Sequence, residues 1–314
     1  MGNHPAITDG PMSDAEIPAW LERLAIPGIV DLHVHFMPDR VQQKVWGVFD
    51  RAEERGTPPW PITYRQTEAE RVAELRELGV RAFTTLNYAH RPGMARWLND
   101  YSREFAQTHP DAVHSATFYP EPGVDDVVGD ALAAGARVFK LHIQVGGFSP
   151  LDEALPGAWE QIARAGTPVV LHCGRGPHHG ESTGIEPVRE LVARYPDLVL
   201  VIAHAGLPDY REFAELAAEN ANVYLDTTMV GTAFTEQFAP LPHDYPQILR
   251  RMPGKVVLGT DFPTIPYPYA HQLQVLTGWG LGDDWLVDVL WHTPRRLAGL
   301  DVGGESAQPA VIGA

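Results

Sequence analysis

Short apolar, β-branched runs alternate along the chain with longer amphipathic stretches, and this rhythm predicts the architecture. Strands are expected at "GIVDLHVH", "VRAFTTLNY", "DAVHSATFY", "ARVFKLHI", "TPVVLHC", "LVLVIAHA", "NVYLDTT" and "KVVLGTD". Between them, "QTEAERVAELRELG", "MARWLNDYSREFAQTH" and "LPDYREFAELAAEN" place apolar residues at helical spacing, and Gly79 suits the C-terminal cap of the first. Upstream, "SDAEIPAWLERLA" reads as a short helix opened by a capping box of Ser13 and Glu16. Eight βα units in 314 residues predict an α/β fold, specifically a (β/α)8 TIM barrel. An open doubly wound sheet is the alternative. It fits less well, because no G-x-G-x-x-G follows the first strand and ionisable residues sit at many strand ends rather than at one switch point. The segment from Gln42 to Thr67, rich in Pro, Trp and charge, is too long for a plain connection and is expected to cap the mouth as an insertion after strand 1. A single domain over residues 1–302 is expected, with residues 303–314 a disordered tail.

The first strand breaks its own hydrophobic pattern. Asp31, His33 and His35 fall at every second position, so strict alternation puts them on one face and Val30, Leu32 and Val34 on the other. At about 3.3 Å per residue, the two histidine Cα atoms lie roughly 6.6 Å apart, close enough for both imidazoles to reach one ion. Two buried histidines satisfied by hydrogen bonds would look the same. Other strand ends add weight to the metal: "VVLH" ends at His172, "LVIAH" at His204 and "VVLGTD" at Asp261. A barrel gathers those ends at its C-terminal face, where imidazoles and a carboxylate suit a divalent ion, zinc most naturally.

Composition narrows the partners. A net charge of -16 without a Lys/Arg cluster argues against nucleic acid and leaves a small molecule as the expected partner. The single cysteine, Cys173, excludes intramolecular disulfides and Cys-rich zinc modules, and it fits a reducing cytoplasm. The start "MGNHPAITDGPMSD" lacks a basic, apolar leader, and no apolar run approaches the roughly 20 residues of a membrane span, so neither export nor membrane insertion is expected. Gly2 lies in an acidic, Pro-containing context that argues against myristoylation. No G-x-S-x-G elbow is present, which removes a serine hydrolase of that type. A homodimer is the base-rate expectation for assembly.

The Asp31-x-His33-x-His35 motif, His172, His204 and "GTDFP" with Asp261 resemble the amidohydrolase superfamily, in particular its family-2 branch of aminocarboxymuconate-semialdehyde decarboxylase-like enzymes. The closing "WHTPRRLAGL" is similar to that branch's C-terminal helix. The resemblance implies that His33, His35, His172 and Asp261 hold one divalent ion, Zn2+ first, with Mn2+ or a second ion as alternatives. It makes His204 an acid/base group, and Asp261 both a ligand and an acceptor of the attacking water's proton. Asp31, read as the deepest group on the inward face, is expected to support the ligands by hydrogen bonding.

Lys140 and His142 share a face of "VFKLHIQ". In binuclear members of the superfamily a lysine on the fourth strand is carbamylated and bridges two ions. A mononuclear site is expected here, with an amine at Lys140 paired to a carboxylate such as Asp31 as the plainer reading; His142 is either a substrate contact or a satisfied barrel histidine. In "HCGRGPHHGESTG", Arg175 could clamp a substrate carboxylate, or the loop with His178, His179 and Glu181 is simply solvated. Cys173 is expected to pack in the core. Tyr267 and Tyr269, with Trp46 and Trp60, form either an aromatic substrate wall or ordinary packing. The implied activity is metal-dependent hydrolysis of an amide, ester or lactone in a small, carboxylated or aromatic substrate. Metal-dependent non-oxidative decarboxylation of an aromatic or unsaturated acid is the alternative, and a binding protein without catalysis is the third reading. Resorcylate-type decarboxylases tend to carry His-x-Gly-Glu where this chain has His204-Ala205-Gly206-Leu207, which favours hydrolysis.

Overall fold

A computed structural model of the protein describes residues 9–176 and 179–300; the expected tail, Gly2 and His178 lie outside the described residues. Strands β1 (Ile29–Asp31), β2 (Val80–Thr84) and β3 (Ala112–Val113) pair in parallel. So do β4 (Ser115–Ala116), β5 (Val138–His142), β6 (Val169–His172), β7 (Leu200–Ile202), β8 (Val223–Asp226) and β9 (Val256–Val257). β3 and β4 are one barrel stave interrupted at His114, so the strands fill eight positions, as the hydrophobic rhythm predicts. The two sheets also join beyond β9: Leu32 N donates to Leu258 O (3.1 Å), Asp261 N to His33 O (2.8 Å) and His35 N to Phe262 O (2.8 Å). These bonds close a TIM barrel and bring the end of the last strand beside the end of the first.

Register separates the two faces of the sheet. Val30 is level with Ala82, Lys140 with Val170, His142 with His172, Val201 with Tyr224 and Asp226 with Val257, and these face the interior. At the base, Val30, Leu32, Val113, Val138, Val170, Val201 and Val257 form one apolar cluster, closed below by Trp291, Leu297 and Leu300 of the C-terminal segment. The outward residues Phe83, Phe139, Leu171, Ile202 and Leu225 belong to the larger cluster beneath the helices. An apolar plug therefore supports a polar upper layer, in which Lys140, His172 and Asp226 stand.

This register corrects the reading of β1. Asp31 is level with Phe83 and faces outward, opposite Val30, rather than lying on the inward face with His33. The backbone bends at Leu32, and that irregularity breaks strict alternation: Val30 and Leu32 fill the base, while His33 still turns into the site.

The helices follow their sequence signals with one exception. Residues Glu68–Glu77 form a helix opened by a complete capping box, Glu70 N donating to Thr67 Oγ1 (3.4 Å) and Thr67 N to Glu70 Oε2 (2.9 Å). Just past its end, Gly79 adopts φ 82°, a conformation that favours glycine. The box expected at Ser13 does not form. The first turn there is 3-10, closed by Glu16 N to Ser13 O (3.0 Å), and the Ser13 hydroxyl reaches the Glu16 carboxylate (3.4 Å) rather than a helix N–H. In the segment following β1, residues Asp39–Phe49 are helical. Further on, Trp60 Nε1 donates to Thr264 O (2.6 Å) and Thr63 N to Ile265 O (2.9 Å), which sets this stretch beside the loop after β9.

Candidate active site

Rings from successive strand ends form a closed circle over the polar layer. Centroid distances run His33–His35 5.1 Å, His35–Tyr88 6.1 Å, Tyr88–His142 5.0 Å, His142–His172 3.8 Å, His172–His204 4.8 Å and His204–His33 5.1 Å. Asp261 joins them, its Oδ1 2.9 Å from His35 Nε2 and 3.7 Å from His33 Nε2, and Lys140 Nζ lies 3.2 Å from His33 Nε2.

What fixes these rings is the other nitrogen of each. His33 Nδ1 is 2.8 Å from the Asp226 carboxylate, and His35 Nδ1 is 2.8 Å from Leu86 O. An acceptor at Nδ1 holds the proton there and leaves the lone pair on Nε2, so two lone pairs and a carboxylate oxygen converge. Among the described residues, His33, His35 and Asp261 offer ligand atoms all within 4.8 Å of one another, a donor set that suits a divalent ion. His204 is held in the same manner, Nδ1 3.1 Å from Thr228 O and its backbone N donating to Asp226 Oδ1 (2.7 Å). Asp226 therefore orients two histidines from one carboxylate.

The backbone is strained where the chemistry sits. His204 (φ 54°), Ala205 (φ 49°) and Asp261 (φ 73°) adopt left-handed conformations without being glycine. The bonds from His204 N to Asp226 and from Asp261 N to His33 O hold them. Gly259 is required for another reason: a Cβ there would lie 2.2 Å from Thr228 Oγ1 and 2.7 Å from His33 Cβ.

Burial sets the charges. It holds His33, His142 and His172 well below the usual imidazole range, and His204 down to about 4, so these rings are neutral. Burial alone would raise Asp261, but its close contact with His35 and the surrounding imidazoles outweigh it and hold the carboxyl well below the usual carboxylate range. Burial lowers the Lys140 amine to about 8 and raises Asp226.

The structure brings together His33, His35 and Asp261, and sets His172 slightly apart: its ring stacks on His142 and its Nε2 is 3.4 Å from Gly176 O. Asp31 is buried and accepts from His33 N (3.0 Å), Thr260 Oγ1 (2.6 Å) and Tyr269 OH (2.8 Å). Burial raises Asp31 to about 6. Lys140 therefore meets His33 rather than Asp31. Arg175 is engaged by Asp209 through both carboxylate oxygens, Nε at 2.7 Å from Oδ2. Cys173 is buried in the outer cluster, as expected.

The four aromatic residues do not form one wall. Tyr269 turns to Asp31, Trp46 packs against Arg65 and Arg71, and Trp60 against Phe49 and Phe234. Tyr267 packs edge-on to His271 with its hydroxyl buried. Sequence reasoning missed Asp226 and Tyr88. Asp226 ends "VYLD" as His172 ends "VVLH", so the same strand-end signal would have found it.

A family model described as amidohydrolase matches residues 30–300. The chain belongs to the amidohydrolase family. This amidohydrolase carries the features of the superfamily's family-2 branch, whose members are metal-dependent enzymes that include hydrolases and decarboxylases. Solved structures share the fold. An uncharacterised TIM-barrel protein from Bordetella bronchiseptica aligns at TM-score 0.64 with 19% identity, over 87% of this chain and 99% of its own. A 5-carboxyvanillate decarboxylase from Novosphingobium aromaticivorans, complexed with manganese and 4-hydroxy-3-methoxy-5-nitrobenzoic acid, aligns at 0.54 with 13% identity over 87% and 95%. A probable 2-pyrone-4,6-dicarboxylic acid hydrolase from Acinetobacter baumannii with citric acid bound aligns at 0.54 with 13% identity over 87% and 99%. No curated protein sequence matches the chain. Among the described residues, no helix of this amidohydrolase is long and apolar enough to cross a membrane.

Proposed function

We propose that this amidohydrolase is a metal-dependent hydrolase of an amide, ester or lactone bond in a small substrate. The observation that carries the reading is the convergence of His33 Nε2, His35 Nε2 and Asp261 Oδ1, with both Nδ1 atoms tied to acceptors. His33, His35 and Asp261, with His172 as a fourth donor, would hold one divalent ion, for which zinc suits imidazole and carboxylate best. When bound, the ion supplies Lewis acidity that polarises a carbonyl and lowers the pKa of water.

The protein's own groups handle the proton. Asp261, ionised and partly open to solvent, accepts it from the attacking water as the new C–O bond forms, then delivers it to the leaving group as the scissile bond breaks. His204, half-buried with Nδ1 committed to Thr228 O, presents Nε2 to position the water. Asp226 keeps His33 and His204 in register, and Asp31 anchors the backbone of His33. Arg175 would have to leave Asp209 to clamp a substrate carboxylate. The stretch around Trp60 covers the mouth in this reading. One buried, unpaired cysteine suits a cytoplasmic location.

Hydrolysis is preferred over decarboxylation because Leu207 stands where a glutamate follows His-x-Gly in resorcylate-type decarboxylases. Zinc-loaded and manganese-loaded protein, assayed against lactones, esters, amides and aromatic carboxylates, tests this. Metal-dependent hydrolysis is the expected result; metal-dependent CO2 release without hydrolysis overturns it.

A further inference from the structure

The ring of side chains divides by exposure. His33, His35 and His172 are 1%, 6% and 8% exposed, whereas Tyr88, His142, His204 and Asp261 each keep an accessible edge. A substrate entering the mouth meets those four. His204 and Asp261 have roles in the reading above, but Tyr88 and His142 have none.

Hydrogen bonding locates the His142 proton. Val145 N–H donates to His142 Nδ1 (3.3 Å), where His142 caps the short helix Ile143–Gly146. A nitrogen that accepts this bond carries no proton, so the proton sits on Nε2. This is the reverse of His33 and His35, whose Nδ1 atoms face acceptors. His142 is therefore unsuited to give an Nε2 lone pair to an ion and presents an N–H donor instead. Its plane is fixed by face-to-face stacking on His172 at 3.8 Å and 12°. The Tyr88 ring lies 5.0 Å from the His142 ring, and no hydrogen bond is made by the Tyr88 hydroxyl among the described residues.

We infer that His142 Nε2–H and Tyr88 O–H form a two-donor subsite for a second oxygen of the substrate, distinct from the oxygen at the reacting carbon. The inference rests on the reading of His33, His35 and Asp261 as the reacting centre. Tyr88 neighbours both His35 and His142, so the subsite lies within the span of one small molecule. Both positions offer hydrogen-bond donors, the Lys140 amine of the same layer meets His33 Nε2, and the Arg175 guanidinium is engaged by Asp209. The subsite thus suits a carbonyl or similar neutral acceptor, and the substrate class is a small molecule carrying one beyond its scissile group.

The test uses zinc-loaded protein and two matched probes, 3-acetylbenzoate and 3-ethylbenzoate, which differ by one acceptor oxygen. Calorimetry should show the acetyl probe binding wild type about tenfold tighter, the scale of one or two net hydrogen bonds. That preference should collapse in Tyr88→Phe and in His142→Asn, whose side-chain oxygen can still cap Val145 N–H, while affinity for the ethyl probe stays within about twofold. Equal binding of the two probes to wild type, or a preference that survives both variants, overturns the subsite. Nitrogen-15 spectra of labelled histidine give an independent readout: a proton on His142 Nε2 supports the proposal and one on Nδ1 overturns it. Zinc content is measured in the same samples, so wild type that takes up no zinc fails the metal reading rather than this one, and the spectra still decide the subsite.

Discussion

His33 and His204 are oriented by opposite oxygens of Asp226, one through its ring Nδ1 at 2.8 Å and the other through its backbone N at 2.7 Å. A single buried carboxylate thus sets the tautomer of the His33 imidazole and the strained backbone beneath His204. Asp226→Asn keeps the shape but removes the charge, so its zinc affinity should fall by about 10- to 100-fold, the usual cost of losing such a support. Competition against a fluorescent zinc chelator measures this. Wild-type affinity in the variant would show that Asp226 has no part in holding His33.

The same carboxylate shows where sequence reading stopped. Eight strand positions are legible because short β-branched runs bounded by turn residues have few other uses, and the ends of three runs disclose His172, His204 and Asp261. Asp226 is not singled out by its residue type, because a lone aspartate at a strand end is as common at a turn as at a site. Asp31 was put on the wrong face because alternation holds only while the strand is regular, and the bend at Leu32 is invisible in residue types. Tyr88 lies past the end of β2 in an irregular stretch, where no periodicity says which way a side chain points. Which nitrogen of each histidine bears the proton depends on partners such as Leu86 O and Val145 N, far from any pattern.

Metal should stabilise the fold through the same three ligands. At a free zinc concentration one hundred times its dissociation constant, linkage adds about 2.7 kcal/mol, read as a higher Tm than in chelator-treated protein. His35→Ala and Asp261→Ala should each abolish most of that shift. A full shift in both variants would place the ion elsewhere.

The helix Glu68–Glu77 is tied to the stretch before β3 by Arg76 and Asp111, a two-bond pair at 2.7 and 2.8 Å. The hydrogen bond from Arg76 lowers the Asp111 pKa below the usual carboxylate value. A depressed folded-state pKa contributes stability above the unfolded value of about 3.9, and that contribution is lost as pH falls through the folded one. Arg76 is 49% exposed on its side chain, so solvent screening limits the pair to under about 1 kcal/mol. In metal-free protein, Asp111→Asn should unfold at slightly lower urea at pH 7, and the gap to wild type should narrow progressively as pH falls below about 3.9. A gap that widens on acidification would reverse the sign argued here.

Gly259 offers the sharpest test that the barrel seam was shaped around the site. Its missing side chain leaves room for three groups: an added Cβ would stand 2.2 Å from Thr228 Oγ1, 2.7 Å from His33 Cβ and 3.2 Å from Asp226 Cγ. The hydroxyl of Thr228 could swing aside, but the His33 Cβ and the Asp226 carboxylate are buried and fixed by their mutual hydrogen bond. Gly259→Ala must therefore push His33 away from Asp226 or bend the end of β9, moving Asp261 with it. Overpacking of this kind costs about 1 to 3 kcal/mol. Urea unfolding of metal-free protein should show that loss, and zinc titration should show a weaker site beyond it, because the two strands that carry the ligands are the ones displaced. Gly254→Ala is the control for chain stiffness, since a Cβ there meets nothing within 4 Å although its φ of 69° adds strain. It should lower stability while leaving zinc affinity intact. Equal zinc affinity in Gly259→Ala and wild type would mean that the seam tolerates the methyl, and that the close approach of β9 to His33 does not set the ligand geometry.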